Sequence, residues 1–215
     1  MCVKSVFILG QTAHSRGEKH EFSRHKHPFR TEFRSGLFCL CIEWLGMNIR
    51  LQLATDDDAL ALVSLRQAVN EHLTEEFGYG YWCENLSERG ALSAVRNSPV
   101  YVVRHQGRVL ATMTLATRKP WLIDLDYFAS RQRPFYLTNM AVHPDFQRQG
   151  LGRETIADAR RIVLESGGDA IRLDSYDTPA GAGPFYSKCG FTEVGRTIYR
   201  TAPLIYFEMP LNGAK

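Results

Sequence analysis

The stretch FYLTNMAVHPDFQRQGLGRETIADARRIVLES, Phe135 to Ser166, passes through three patterns in succession. Phe135 to Val142 is rich in aromatic and β-branched residues, a strand composition. Pro144 and Asp145 mark a turn. Gln147-Arg148-Gln149-Gly150-Leu151-Gly152-Arg153 then opens a helical pattern, with Ile156, Ala157, Ala159, Arg160, Ile162, Val163 and Leu164 spaced to give one apolar face. The unit is strand, glycine-bearing loop, helix. A helix N-terminus leaves its first N–H groups unpartnered at the positive end of the helix dipole. Glycines let an anion approach those groups, and Arg148 and Arg153 add charge. Two readings follow: a phosphate or pyrophosphate cradle, or a turn that merely needs a glycine. There is no G-x-x-x-x-G-K-[ST], no G-x-G-x-x-G and no G-x-S-x-G in the chain, which excludes three other glycine signatures.

The spacing Gln147-x-x-Gly150-x-Gly152 resembles the [QR]-x-x-G-x-[GA] loop that binds the acetyl-CoA pyrophosphate in the GNAT superfamily of N-acetyltransferases. Asn139 to Gln147 resembles the N-x-x-V-x-P-x-x-[QR] run that leads into that loop. Ala182-Gly183-Pro184-Phe185-Tyr186-Ser187-Lys188-Cys189-Gly190-Phe191 resembles the second family signature, a short helix ending at Gly190. One position departs. Where the family often has Asn, seven residues before the tyrosine, this chain has Pro179. The bonds that Asn makes to the CoA arm must then come from elsewhere or from backbone. The resemblance covers roughly 47–211.

With 215 residues, 44% hydrophobic and 23% charged, the chain has the make-up of a globular protein with a core. Its net charge of +3 lies wholly in residues 1–46, which hold seven basic and four acidic residues; residues 47–215 balance at nineteen of each. That balance argues against nucleic acid as a partner. No apolar run approaches a membrane span, so no membrane partner is expected. Five cysteines, an odd number, point to a reducing compartment, hence the cytoplasm, rather than a disulfide framework. Residues 1–46 show no sustained period and read as a disordered or mis-assigned extension, with Met47 as the natural start. His20, His25, His27, Cys39 and Cys41 lie there, but their C-x-C and H-x-H spacings do not fit zinc, and no metal is expected.

From Met47 to Leu53 the residues alternate as a strand. Thr55-Asp56-Asp57-Asp58 caps a helix carrying Leu60, Leu62, Val63, Leu65, Val69 and Leu73. A second helix spans Leu86 to Val95, after the aromatic loop Gly78 to Trp82. Val100 to Thr117 forms a hairpin turning at Gln106-Gly107. The connector Lys119 to Phe128 is acidic and aromatic, and either reaches the cleft or is an ordinary surface loop. Ala170–Tyr176, Thr192–Thr201 and Leu204–Leu211 complete the strands. The fold class is α/β: a central mixed, mostly antiparallel sheet with one splayed parallel pair, flanked by helices, the GNAT-type fold over 47–215.

The resemblance implies roles. Gln147, Arg148, Gln149, Gly150, Leu151, Gly152 and Arg153 would hold acetyl-CoA. Met140, Ala141 and Val142 would align its pantetheine arm along the strand, with the Met140 N–H as the oxyanion donor. Tyr186 sits where many relatives protonate the CoA thiolate; its other reading is a buried tyrosine that only packs and bonds the cofactor. Many relatives place a Glu base on the key strand, where this chain has Thr138 and Asn139, so the base is unassigned: Asp124 and Asp126 are candidates, and a water chain or prior deprotonation of the substrate are the alternatives. Trp121, Asp124, Asp126 and Asn139 are candidates on the substrate side. The implied activity is acetyl transfer from acetyl-CoA to a primary amine of a small molecule. A non-catalytic acyl-CoA-binding module and acetylation of a protein amine are the alternatives. The partners are then acetyl-CoA and an amine, and a homodimer is compatible with this reading.

Overall fold

The computed structural model describes residues 49–211. The expectations for residues 1–46, the start at Met47 and the His/Cys group lie outside them. Seven strands form one sheet in the order β1-β2-β3-β4-β5-β7-β6. They are β1 Gln52–Leu53, β2 Val100–His105, β3 Arg108–Ala116, β4 Pro134–Val142, β5 Ala170–Tyr176, β6 Thr192–Tyr199 and β7 Ala202–Pro210. The helices are α1 Ala59–Phe77, α2 Glu88–Asn97, α3 Leu151–Glu165 and α4 Gly183–Lys188. Among the described residues only β4 and β5 run parallel; every other pairing there is antiparallel. α3 is the crossover between them, as a parallel pair requires. The expected mixed sheet with one parallel pair is the observed one.

Local sequence explains most boundaries. The β2–β3 hairpin turns at Gln106 and Gly107, both at positive φ (48° and 75°), which matches the twist of two-residue hairpins. α1 buries Leu62, Leu65, Val69 and Leu73, a stripe at helical spacing, whereas Leu60 points outward at 61% exposure. Gly78 ends α1 at φ +76°, its N–H bonded to Thr74 O at 2.9 Å. α2 begins two residues later than the apolar pattern suggests, because Ser87 caps it by accepting the Gly90 N–H at 3.1 Å.

The first strand is shorter than its alternation implies. Only Gln52 and Leu53 pair with β2. Just before them, the Leu51 N–H donates to Asp158 Oδ2 of α3 at 2.7 Å, and Arg50 Nη1 donates to Oδ1 at 3.0 Å. A helix carboxylate has taken the place of a strand partner. Burial raises the Asp158 carboxyl, but the bonds from Arg161, Leu51 and Arg50 outweigh it and hold it below the ordinary carboxylate value. A depressed folded value means the stabilisation is present at neutral pH and is lost as the pH falls through it. Asp158→Ala should therefore cost about 2–4 kcal/mol in urea unfolding at neutral pH. The gap to wild type should narrow as the pH drops from about 4 toward 2. A gap that stays constant would contradict this anchor.

Candidate active site

Two features of β4 create the site. First, β4 and β5 pair only through Pro134↔Ala170, Phe135↔Ile171 and Tyr136↔Arg172. Beyond Tyr136 the strands diverge, leaving Leu137–Val142 without a strand partner on the β5 side. Second, Thr112 pairs with Ala141 but Thr114 pairs with Thr138, so Asn139 and Met140 together oppose Met113. This is a β-bulge, with Asn139 at φ +55°. Past the bulge the His143 N–H bonds Leu110 O of β3 at 2.8 Å. Strand alternation then turns the N–H groups of Met140 and Val142 the other way, into the gap. That edge can accept an extended ligand as an added strand.

The loop after β4 is tied to the strand it leaves. Gln147 Nε2 donates to Val142 O at 2.9 Å, and Gln149 Nε2 donates to Asp145 O at 2.6 Å. His143 Nδ1 accepts the Asp145 N–H at 3.3 Å, closing the turn Pro144–Phe146. Burial first, and then Arg108, hold this imidazole below its usual value against the pull of Asp145, which keeps Nδ1 an acceptor. Arg148 and Gly150 both adopt left-handed conformations, at φ +58° and +96°. The first intrahelical bond of α3 runs from the Glu154 N–H to Gly150 O at 3.1 Å. The N–H groups of Leu151, Gly152 and Arg153 precede that ladder at the open end of the helix. A Cβ on Gly150 would have nothing within 4 Å, so the space over this end is clear. Arg148, Gln149, Gly150 and Arg153 are exposed, and Arg148 lies 4.0 Å from Glu76 of α1. Clear space, unladdered amides and two guanidinium groups fit a diphosphate.

Tyr186 is fully buried on the side of the sheet covered by α4. Its ring packs among Phe185, Phe191 and Phe207. Its hydroxyl donates to Met140 Sδ at 3.8 Å, directly behind the gap. Burial, followed by the charges of Asp174 and Cys189, pushes the Tyr186 hydroxyl well above the ordinary phenol value. It keeps its proton throughout the neutral range.

The opposite side of the gap holds a residue that the sequence reading passed over. Ser175 of β5 faces α4, its Oγ accepting the Ala182 N–H at 3.0 Å. Alternation sends Arg172, Asp174 and Tyr176 to the other face. There Arg172 bonds Glu208 at 2.9 Å and sits over Phe128, while Tyr176 stacks on Tyr81 at 5.1 Å. Asp174 lies between them with no exposed surface. A carboxylate inside a strand this buried is costly unless it is partnered or used. That burial was the available signal, and beside Arg172 and Ser175 the residue reads as an ordinary polar position of a strand, which hid it.

Tyr81 also borders a cavity of about 480 Å³ between α1, α2 and the sheet. Its floor is Thr112 and Thr114 of β3 with Asn139 and Ala141 of the bulge. α2 turns Gly90, Ser93, Ala94 and Asn97 toward it, a one-faced stripe of small and polar residues. Of the substrate-side candidates, Asn139 is in this wall. Trp121, Asp124 and Asp126 are not among the residues lining it. Trp121 packs edge-on against Tyr199 at 4.5 Å, and Asp124 caps a turn by accepting the Asp126 N–H at 3.1 Å. Among the described residues no group of three or more His, Cys, Asp or Glu is placed to hold a metal ion, and no helix is long and apolar enough to cross a membrane.

Comparison with known proteins agrees with this geometry. Residues 96–193 match the family model of an acetyltransferase (GNAT) domain. No curated protein matches the chain by sequence. Among solved structures, a GNAT-family acetyltransferase from Listeria monocytogenes superposes with a TM-score of 0.62 at 16% identity, over 76% of this chain and 95% of that one. The PaiA N-acetyltransferase of Thermoplasma acidophilum, solved with coenzyme A, gives 0.58 at 14% identity, over 77% and 100%. An N-acetyltransferase from Staphylococcus aureus gives 0.55 at 15%, again over 77% and 100%. At these identities the likeness is one of fold. The family match falls on the segment that holds the bulged strand, the loop and the buried tyrosine, so residues 96–193 of the chain are similar to an acetyltransferase (GNAT) domain.

Proposed function

We propose that the domain transfers the acetyl group of acetyl-CoA to the primary amine of a small molecule by direct attack. The observation that carries this reading is the divergence of β4 from β5 after Tyr136. It leaves a gap that β5 borders at Asp174, a buried residue not among those lining the cavity, with Tyr186 on the side of α4. Acetyl-CoA supplies the activated thioester. Amides of Leu151, Gly152 and Arg153, with Arg148, hold its diphosphate. The outward edge of β4 guides the pantetheine arm, and the Met140 N–H receives the charge that develops on the carbonyl oxygen. Asp174 takes the proton from the attacking amine, and Tyr186 gives one to the departing sulfur. The base is thus supplied by β5, which answers the lack of a Glu on β4 and disfavours a purely non-catalytic binding module.

Thiol release from acetyl-CoA across a panel of amines tests the proposal. Turnover with at least one small amine is expected. Tight CoA binding with no thiol release from any amine would leave only a binding module. Within the active enzyme, Tyr186→Phe should lower kcat roughly ten- to a hundredfold. The effect is bounded because a thiol with a value near 8.5 departs tolerably as the thiolate. Affinity for CoA should change by less than about threefold, since the phenol is asked only for a proton. Equal rates for the variant and wild type would reduce Tyr186 to packing.

A further inference from the structure

We infer that the side-chain oxygen of Asn139, aimed by Thr114 and Thr138, holds one N–H of the acceptor and selects primary over N-methylated amines. This rests on the acetyltransferase reading of the site and names what positions the reacting nitrogen. Thr114 and Thr138 are register partners across β3 and β4, so their side chains share a face of the sheet. Thr114 and Asn139 line the cavity, which makes that face the cavity side. Asn139 Nδ2 donates to Thr114 Oγ1 and to Thr138 Oγ1, each at 3.5 Å. An amide nitrogen carries two N–H groups, and both are thereby directed at hydroxyls. Oδ1 is left as the open end, and among the described residues nothing bonds it. Both threonines are buried, and their contacts exceed the usual range of about 2.7–3.2 Å. The group is set in direction without being saturated.

The backbone supports the same assignment. Asn139 stands at φ +55° within the bulge, a conformation that glycine adopts more readily. Strained positions of this kind cluster at ligand sites. Glycine would serve the bulge alone, whereas asparagine adds an amide there. The next residue is Met140, whose N–H is assigned to the thioester oxygen, so a nitrogen attacking that carbonyl arrives beside Asn139. The reaction then decides which amines fit. A primary ammonium has three protons on nitrogen. One is lost to free the lone pair, and one leaves as nitrogen bonds the acetyl carbon and the carbon–sulfur bond breaks. Sulfur takes up one of these two and solvent the other. The third stays as the amide N–H and can rest on Oδ1 throughout. An N-methyl amine ends as an amide with no N–H, so its bond to Oδ1 is lost during the reaction. A site built to bond an N–H discriminates against an analogue that lacks it.

The test compares phenethylamine, histamine and putrescine, each with its N-methyl counterpart, in thiol release by the full chain. The best primary amine should exceed its counterpart at least about tenfold in kcat/KM. Asn139→Gly keeps the left-handed backbone and removes the amide. It should bring that ratio to within about threefold of one and raise the amine KM about tenfold, with CoA affinity changed less than about threefold. Asn139→Asp retains an oxygen and should keep the preference for the primary amine. A wild-type ratio near one, an unmoved ratio in N139G, or a CoA affinity that falls as far as the amine KM rises overturns the inference. Should no amine release thiol, the three primary amines are titrated into the CoA-saturated protein. Uptake that weakens about tenfold in N139G keeps the amine-holding role and removes the catalytic reading. No uptake, or uptake that N139G leaves unchanged, removes the role itself.

Discussion

Gly150→Glu is expected to weaken acetyl-CoA binding by about a hundredfold or more, measured by calorimetry. Two effects combine. Gly150 stands at φ +96°, where a side chain costs about 1–2 kcal/mol of backbone strain. The added carboxylate would also stand at the amide cluster assigned to the diphosphate, repelling it and competing for the same N–H groups. Gly150→Ala separates the two effects, because its Cβ would meet nothing within 4 Å. Alanine brings the strain without the charge, so its loss of affinity should be clearly smaller. Unchanged affinity in the glutamate variant would remove the site from this loop.

Asp174→Asn is expected to lower kcat by roughly 10²–10³, with acetyl-CoA affinity nearly unchanged. The substitution keeps the shape and removes the basic oxygen. An alkyl amine with a value near 10 is almost wholly protonated at neutral pH, so proton removal is the more demanding of the two transfers. This is why the effect should exceed that of Tyr186→Phe. Raising the pH supplies free amine from solution, so the gap between variant and wild type should close toward pH 10. A residue that only supports the fold would not show that closing gap, and equal rates at neutral pH would strip Asp174 of its role. Thermal unfolding of the variant checks that the buried amide is tolerated.

Local chemistry in the chain announces the loop and much of the sheet. Gln147 to Gly152, the Gln106-Gly107 turn and the strand Ala170–Tyr176 each carry their conformation in neighbouring residues, so they are legible from the residues alone. The divergence of β4 from β5 is implied by the family resemblance. Its extent, three paired residues, emerges only from the register. The bulge at Asn139 is invisible in the sequence for the same reason, since a bulge is a property of a pairing rather than of one strand. The cavity beside the bulge is equally hidden, because its walls come from α1, α2, β3 and β4 together. The acidic connector draws attention by composition, yet Asp124 caps its own turn. The carboxylate that borders the gap, Asp174, sits within a run that reads only as a strand. Met47–Leu53 alternates as a strand, but at Leu51 the backbone N–H is taken by Asp158, a partner more than a hundred residues away.

The central claim is that the amides opening α3 grip a diphosphate while the unpaired edge of β4 aligns a thioester between Asp174 and Tyr186. A crystal structure of the protein with coenzyme A tests it most directly. The account predicts the diphosphate on the N–H groups of Leu151, Gly152 and Arg153, and the pantetheine running antiparallel or parallel to β4 within hydrogen-bonding reach of Met140 and Val142. A nucleotide bound at any other surface, or a pantetheine arm outside the β4–β5 gap, would contradict it.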